Sequence, residues 1–159
     1  MTKWKKFLAV SCSHGHLADA KATKAALEFK KRWKPDTTLH LGDAVDLAAL
    51  RSGAMRNPDS SDRAASISED FRAGINFLRL LECDVYWIGN HEDRLYQMQY
   101  SPNAIVAHCA TSGLAEPHQA CKETRTQIVQ YEIEARNDKR KKAIDGWVRG
   151  TGGTSWWVS

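Results

Sequence analysis

The chain of 159 residues lacks any long apolar run, and no segment approaches the roughly 20 apolar residues that a membrane-spanning helix needs. The basic residues at the start are not followed by the apolar stretch and small-residue cleavage site of a secretory signal. We therefore expect a cytoplasmic protein with no membrane partner. Cysteine is scarce, and the four cysteines show no Cys-x-x-Cys spacing. This disfavours a zinc ribbon and, without a secretory signal, a disulfide framework.

The sequence also has no strong charge of either sign. It contains 23 lysines and arginines against 19 aspartates and glutamates. A weakly basic balance permits contact with phosphates but does not by itself establish nucleic-acid binding. We interpret the basic runs at residues 3–6, 30–34 and 136–142 as solvated faces or turns. The length suits one domain with a real core, and we expect residues 1–159 to form a single domain.

Short apolar segments alternate with amphipathic ones along the first half of the chain. The predicted strands are residues 7–10, 37–41 and 84–88, and the predicted helices are residues 18–33 and 66–81. The β-α-β-α-β order predicts an α/β fold with parallel strands and crossover helices. The apolar residues at helical spacing are Ala22, Ala25, Ala26, Phe29 and Trp33 in the first helix and Ile67, Phe71, Ile75, Leu78 and Leu81 in the second.

Weaker patterns follow between and after these elements. We predict helices at residues 44–50, 92–99 and 104–111, β-like runs at 127–134 and 154–158, a loop at 52–62, and turns at 137–142 and 150–153.

Polar side chains follow each predicted strand. His14 comes after the first strand, Asp43 and Asp46 come after the second, and the sequence Gly89-Asn-His-Glu92 comes after the third. Open α/β sheets place their sites at this edge. A carboxylate such as Asp43 can bridge two cations, and the carbonyl oxygen of Asn90 can serve one of them.

The neighbouring polar residues suit supporting roles. His91 can act as a general acid, and Asp46 can orient a ligand. Glu92 favours a helix N-terminus.

Three strings resemble the first three motifs of the calcineurin-like metallophosphoesterases of phages and bacteria: His14-Gly-His16, Gly42-Asp-Ala-Val-Asp46 and Gly89-Asn-His-Glu92. The resemblance runs from about residue 8 to residue 95 and weakly beyond. It implies an αββα sandwich, two bridged divalent cations (Mn, Zn, Fe or Mg), and hydrolysis of phosphate mono- or diesters. If these strings correspond to the family motifs, His14 would bind one metal, Asn90 the other and Asp43 both. His91 would then be the acid or would orient the phosphate.

The first motif departs from the family pattern. The family has Asp-x-His, whereas this chain has Cys12-Ser-His14. A thiolate binds zinc or iron but is a poor ligand for Mn or Mg. Either Cys12 is a metal ligand or the metal is held less well, and His16 either compensates or lies in an exposed turn.

The second departure concerns later motifs, because the family's His-Gly and Gly-His-x-His strings are missing. We expect His108, in a helical stretch, and His118, in a loop, not to be ligands, and His40 to lie in the core or behind the ligands. We therefore expect an incomplete αββα sandwich, the N-terminal portion of a longer fold, which would bind two divalent cations or only one.

Two functions follow from this pattern. One is a metal-dependent phosphoesterase whose substrate is a phosphoester, with nucleotides and nucleic acids as candidates. The other is a catalytically degraded domain that binds a metal, a nucleic acid or a protein. Arg51, Arg56 and Arg94 lie near the motifs and either hold a phosphate or are simply solvated.

Overall fold

A computed structural model describes residues 4–57, 59–129, 147–149 and 155–157. Its centre is a four-stranded sheet in the order β1-β2-β3-β4. The strands are β1 (Phe7–Val10), β2 (Thr37–His40), β3 (Val85–Trp87) and β4 (Gln127–Val129). All neighbouring pairs are parallel. The predicted α/β class and the parallel β-α-β-α-β core are therefore confirmed.

Helices connect the strands and pack on one another. They are α1 (Ala20–Trp33), α2 (Ser52–Arg56), α3 (Ile67–Leu81), α4 (Asn90–Met98) and α5 (Ala104–Glu123). Side-chain oxygens cap three of these helices at their N-termini: Asp19 on α1, Ser66 on α3 and Asn103 on α5 each accept a backbone amide. No helix in the described part of the chain is both long and apolar enough to cross a membrane.

Helix α3 is the centre of the helical layer and contacts both α1 and α5. Its buried residues include Phe71, Ile75, Leu78 and Leu81, as the helical spacing predicted. The prediction was wrong for Ile67, which is the first residue of α3 and is exposed. Cys83 and Cys121 are buried in the same core, in keeping with their small apolar side chains.

Helix α1 confirms the predicted helix, but none of its residues is buried. Phe29 and Trp33 stack on each other with ring centroids 5.8 Å apart, and each stays more than 40 % exposed. The physical reason is position: α1 follows the edge strand β1 and makes only a narrow contact with α3.

Several local predictions also needed correction. The predicted loop at 52–62 contains α2 and the start of a 3-10 turn at Ser61–Ala64, and the predicted helix at 44–50 is only a 3-10 turn at Ala48–Leu50. The predicted helix at 104–111 extends to Glu123, so His118 lies on a helix and not in a loop. Pro117 interrupts one backbone bond there, but buried contacts on both sides keep the helix continuous.

The later β-like runs are described only in part. The run at 127–134 yields β4, and residues 130–134 lie outside the described residues, as do the predicted turns at 137–142 and 150–153. The run at 154–158 yields β6 (Ser155–Trp157), which pairs antiparallel with β5 (Trp147–Arg149).

Candidate metal centre

The loops after β1 and β2 hydrogen-bond to each other beyond the last strand residues. Backbone amides of one loop donate to carbonyls of the other in three successive bonds: Cys12 to Gly42 at 3.0 Å, His14 to Asp43 at 3.0 Å and Gly15 to Ala44 at 2.8 Å. These bonds bring Cys12 and His14 beside Asp43, although the two loops are about thirty residues apart in the sequence.

The same loops carry a concentration of strained backbone. Cys12, His14, Asp43 and Leu47 all have positive φ, between 49° and 54° for three of them and 55° for Asp43. Non-glycine residues rarely adopt this conformation, and it costs of order 1–3 kcal/mol where the surroundings impose it. Residues in such conformations often cluster at functional sites, and here four of them lie in the loops after β1 and β2.

Gly42 and Gly89 allow the segment after β3 to lie directly against the loop after β2. A Cβ at Gly42 would lie 2.7 Å from the Cα of Gly89, and a Cβ at Gly89 would lie 2.2 Å from Oδ1 of Asp43. The backbone of Gly89, just before Asn90, is thus in direct contact with the carboxylate of Asp43. The amide of His91 donates to the same Oδ1 at 3.1 Å.

Three possible metal-ligand atoms lie close together in the loops after β1 and β2. One atom each from Cys12, His14 and Asp43 lies within 4.8 Å of the others, and the Cys12 Sγ is 4.0 Å from Oδ2 of Asp43. Asn90 begins α4, where it is exposed. The predicted residues Cys12, His14 and Asp43 are therefore close in space, and Asn90 follows the glycine that touches Asp43.

Asp46 holds both histidines of the site. Nδ1 of His14 lies 3.0 Å from Oδ1 of Asp46, and Nδ1 of His91 lies 2.6 Å from the carbonyl oxygen of Asp46. Both oxygens can only accept, so each histidine carries its proton on Nδ1. The Nε2 atoms of His14 and His91 are left with their lone pairs.

Two arginines bind the same aspartate. Nη2 of Arg51 donates to both carboxylate oxygens of Asp46 at 2.9 Å, and Nη1 of Arg94 donates to its carbonyl at 3.2 Å. Both contacts from Arg51 to the carboxylate are charge-assisted hydrogen bonds. Arg51 also contacts Asp62 at 3.3 Å, so its guanidinium joins two acidic residues and is not freely solvated.

Glu92 connects the loop after β2 to the segment after β3. Its carboxylate accepts the amides of Asp43 and Val45 at 3.1 Å and that of Gly89 at 2.9 Å, and only 5 % of the residue is exposed. Burial raises the pKa of Glu92, and the amide of Val45 works against that rise. Glu92 was predicted as a helix-start or supporting residue, and it lies behind Asp43 in the structure.

His40, the last residue of β2, contacts the loops after β1 and β2. Its Nδ1 accepts the amide of Gly42 at 3.3 Å, so the proton sits on Nε2, which is 3.2 Å from the hydroxyl of Ser13. Burial lowers the pKa of His40 to about 4, and the negative charge of Asp43 opposes that shift only in part. The ring is thus neutral at physiological pH and lies in the core, as expected.

The remaining histidines lie elsewhere or contact other groups. His108 is exposed on α5, and His118 on the same helix has its Nε2 2.5 Å from the hydroxyl of Tyr96. Burial lowers the pKa of His118. His16 lies 3.4 Å from Asp70, a buried aspartate on α3 that sequence reasoning missed. No signal in the sequence marks Asp70, because it belongs to an ordinary amphipathic helix.

The sequence matches the model of the calcineurin-like phosphoesterase family over residues 5–150, which is most of the chain. The chain belongs to the calcineurin-like phosphoesterase family. No match was found among curated proteins or among solved structures.

In this calcineurin-like phosphoesterase, the side chains at the carboxyl end of the sheet are of types that bind divalent cations. Sulfur, imidazole nitrogen and carboxylate oxygen are all ligands of zinc, and the donors of Cys12, His14 and Asp43 lie close enough to share one ion. The lone pair on Nε2 of His14 is free because Asp46 holds Nδ1, the arrangement by which proteins orient metal-binding histidines. The donor set therefore fits a cation at this position.

Proposed function

We propose that this domain is a metal-dependent phosphoesterase that hydrolyses phosphate mono- or diesters. The main support is the pair of contacts from Asp46, which places Nδ1 of both rings against an acceptor and leaves Nε2 as the atom of each ring that can meet a cation or exchange a proton. His14 can then bind a cation and His91 can carry a proton, and both rings contact Asp46. Membership of the calcineurin-like phosphoesterase family supports the same reaction class.

In this proposal, His14, Cys12 and Asp43 hold one divalent cation, and Asp43 and Asn90 hold a second. Divalent cations supply positive charge that polarises phosphoryl oxygens and makes water acidic enough to attack at neutral pH. Asp43 is the natural bridging ligand because its Oδ2 lies toward Cys12 while its Oδ1 lies toward the backbone of Gly89. The sulfur donor favours zinc or iron over manganese or magnesium.

His91 is the proposed catalytic acid. Its Nδ1 proton is held by the carbonyl of Asp46, so Nε2 is the atom that would deliver a proton to the leaving oxygen. The charged form of the ring would face the Asp46 carboxylate, whose Oδ1 is 3.4 Å from Nδ1. Arg94 and Arg51 border the same aspartate, and their remaining N–H groups are the proposed contacts for substrate phosphate.

A second function is the binding of a metal or a partner without turnover. It is supported by the small number of ligands at the second cation position. The proposal assigns two residues, Asp43 and Asn90, to the second cation position. Two donors hold a cation weakly, and turnover needs both cations correctly placed. The two functions share the first cation position and differ only in whether the chain hydrolyses substrate.

The test measures binding and turnover on the same preparation. Titration calorimetry with Zn²⁺ and Mn²⁺ should show saturable binding, tighter for Zn²⁺. Hydrolysis of an aryl phosphodiester should be slow but above the metal-free background. Asp43→Ala should abolish both, and Asp59→Ala, which changes an exposed aspartate between α2 and the 3-10 turn, should abolish neither. Binding without any hydrolysis would support the second function, and the absence of saturable metal binding would contradict the phosphoesterase and the metal-binding form of the second function.

A further inference from the structure

Asp70 is a buried charged residue that no motif of the sequence includes. It lies on α3 and is only 2 % exposed. Its Oδ2 accepts the amides of Asp46 at 2.9 Å and Leu47 at 2.6 Å, and its Oδ1 lies 3.1 Å from the same Asp46 amide. A buried carboxylate is costly unless hydrogen bonds compensate it, and here the donors come from the loop that carries Asp46.

The same carboxylate contacts the loop after β1. Gly15 has a positive φ of 53°, and a Cβ there would lie 1.8 Å from Oδ1 of Asp70, so a side chain at this position would displace the aspartate. His16 Nδ1 lies 3.4 Å from that oxygen. The amide of Gly15 also donates to Ala44 in the loop after β2. Asp70 therefore lies where the two loops meet.

Asp46 connects this contact to the candidate site. Its amide is bound by Asp70, its carbonyl accepts from His91, and its carboxylate accepts from His14. The next residue, Leu47, has a strained φ of 49°, and its amide donates to Asp70 as well. A shift of the Asp46 backbone would therefore move the acceptors of both histidines together.

We propose that Asp70 is a positioning residue for the site. It holds the backbone of Asp46 in the one arrangement that presents the carboxylate to His14 and the carbonyl to His91. The consequence for cation affinity rests on the proposed function, whereas the consequence for the two histidine tautomers does not.

The variant Asp70→Asn tests this with little change in shape. The substitution removes the negative charge and one of the two acceptor oxygens. The remaining oxygen can still accept from the amides of Asp46 and Leu47, but these bonds lose their charge assistance and the second contact to the Asp46 amide is gone. The matched control is Thr126→Val, which removes a buried hydrogen bond to the carbonyl of Cys83 at the opposite edge of the sheet. The substitution also removes the 2.7 Å contact between the hydroxyls of Thr126 and Thr124. The control therefore reports what loss of hydrogen bonds away from the site does to the whole fold.

The first measurement is nitrogen NMR of the histidine rings in metal-free protein. Wild type and Thr126→Val should both show His14 and His91 protonated on Nδ1. In Asp70→Asn both rings should move toward a mixture of tautomers, while His118 on α5 should not change. Unchanged His14 and His91 signals in folded Asp70→Asn would overturn the proposal, as would an equal change in Thr126→Val.

The second measurement is Zn²⁺ affinity by calorimetry. Asp70→Asn should bind about 10-fold more weakly, as is usual when a support behind a metal ligand is lost. If Asp70 acts through Asp46, its substitution should cost much less in an Asp46→Asn background than in wild type. Equal costs in both backgrounds would show that Asp70 does not act through Asp46, and this would contradict the proposal.

These outcomes separate the two hypotheses. If wild type binds no Zn²⁺ but the tautomers respond to Asp70→Asn, the proposed function fails and the positioning role stands. If Asp70→Asn does not fold, hydrogen exchange of wild type decides. The amides of Asp46 and Leu47 should then be as protected as the core amides of α3, and fast exchange at either would overturn the proposal.

Discussion

Nδ1 of His14 lies 3.0 Å from Oδ1 of Asp46, although the two residues follow different strands and are 32 positions apart. The contact fixes the imidazole tautomer and leaves Nε2 of His14 as the nitrogen available to a cation. Because Asp46 holds His91 as well, one aspartate governs the two histidines to which we assign different roles.

Replacement of Asp46 should therefore affect cation binding without removing a ligand. We expect Asp46→Asn to weaken Zn²⁺ binding by about 10- to 100-fold, because the amide supports the Nδ1-protonated ring less strongly. Calorimetry measures this directly. Asp62→Asn is the matched control, since Asp62 also contacts Arg51 but does not contact His14. Comparable losses in both variants would mean that the effect comes through Arg51.

Cys12→Asp should change the preferred cation. A carboxylate is a better ligand for Mn²⁺ than a thiolate is, so the ratio of Mn²⁺ to Zn²⁺ affinity should rise and phosphodiester hydrolysis with Mn²⁺ should increase. Cys12 is exposed, and aspartate tolerates its φ of 54° better than most residues do, so the fold should hold. Cys109→Asp, at the exposed cysteine on α5, is the control. An unchanged affinity ratio would show that Cys12 is not a ligand.

Acid should destabilise the protein through His40. Burial lowers the pKa of this ring from 6.5 to about 4, so the neutral form is the one that folding favours. Its stabilising contribution is complete above pH 6.5 and is lost as the pH falls toward 4, by roughly 3 kcal/mol in all. Chemical denaturation at a series of pH values should show this loss.

The matched pair for that measurement is His40→Gln and His108→Gln. The first should be less stable at neutral pH but flatter between pH 6.5 and 4, because the titrating group is gone. The second changes an exposed histidine and should keep the wild-type pH profile. A wild-type slope retained in His40→Gln would assign the acid sensitivity to another group.

His91→Ala should reduce turnover far more than cation binding. If Nε2 of His91 protonates the leaving oxygen, its loss should cost about 10²–10⁴ in rate while Zn²⁺ affinity changes little. An activated substrate whose leaving group needs no proton should be much less sensitive to the substitution. An equal loss with both substrates would argue that His91 orients phosphate and is not the acid.

Sequence alone determined the parallel α/β core and the edge at which the site lies. The apolar segments 7–10, 37–41 and 84–88 are local signals, and polar residues directly after parallel strands must collect at one edge. His14, Asp43 and the segment Gly89-Asn-His-Glu92 were predicted as site residues for that reason. Local pattern also located α3, because its apolar face has a strict helical period.

Tertiary structure alone decided which atoms meet. The tautomers of His14 and His91 depend on Asp46, and the backbone of Asp46 depends on Asp70, which comes from a helix. Periodicity predicts which side of a helix is buried, but it carries no information on which loop amides a buried carboxylate will meet. The exposure of Phe29 and Trp33 was equally unpredictable, because it depends on the edge position of β1. These facts are set by contacts between residues far apart in the chain, so only the folded arrangement fixes them.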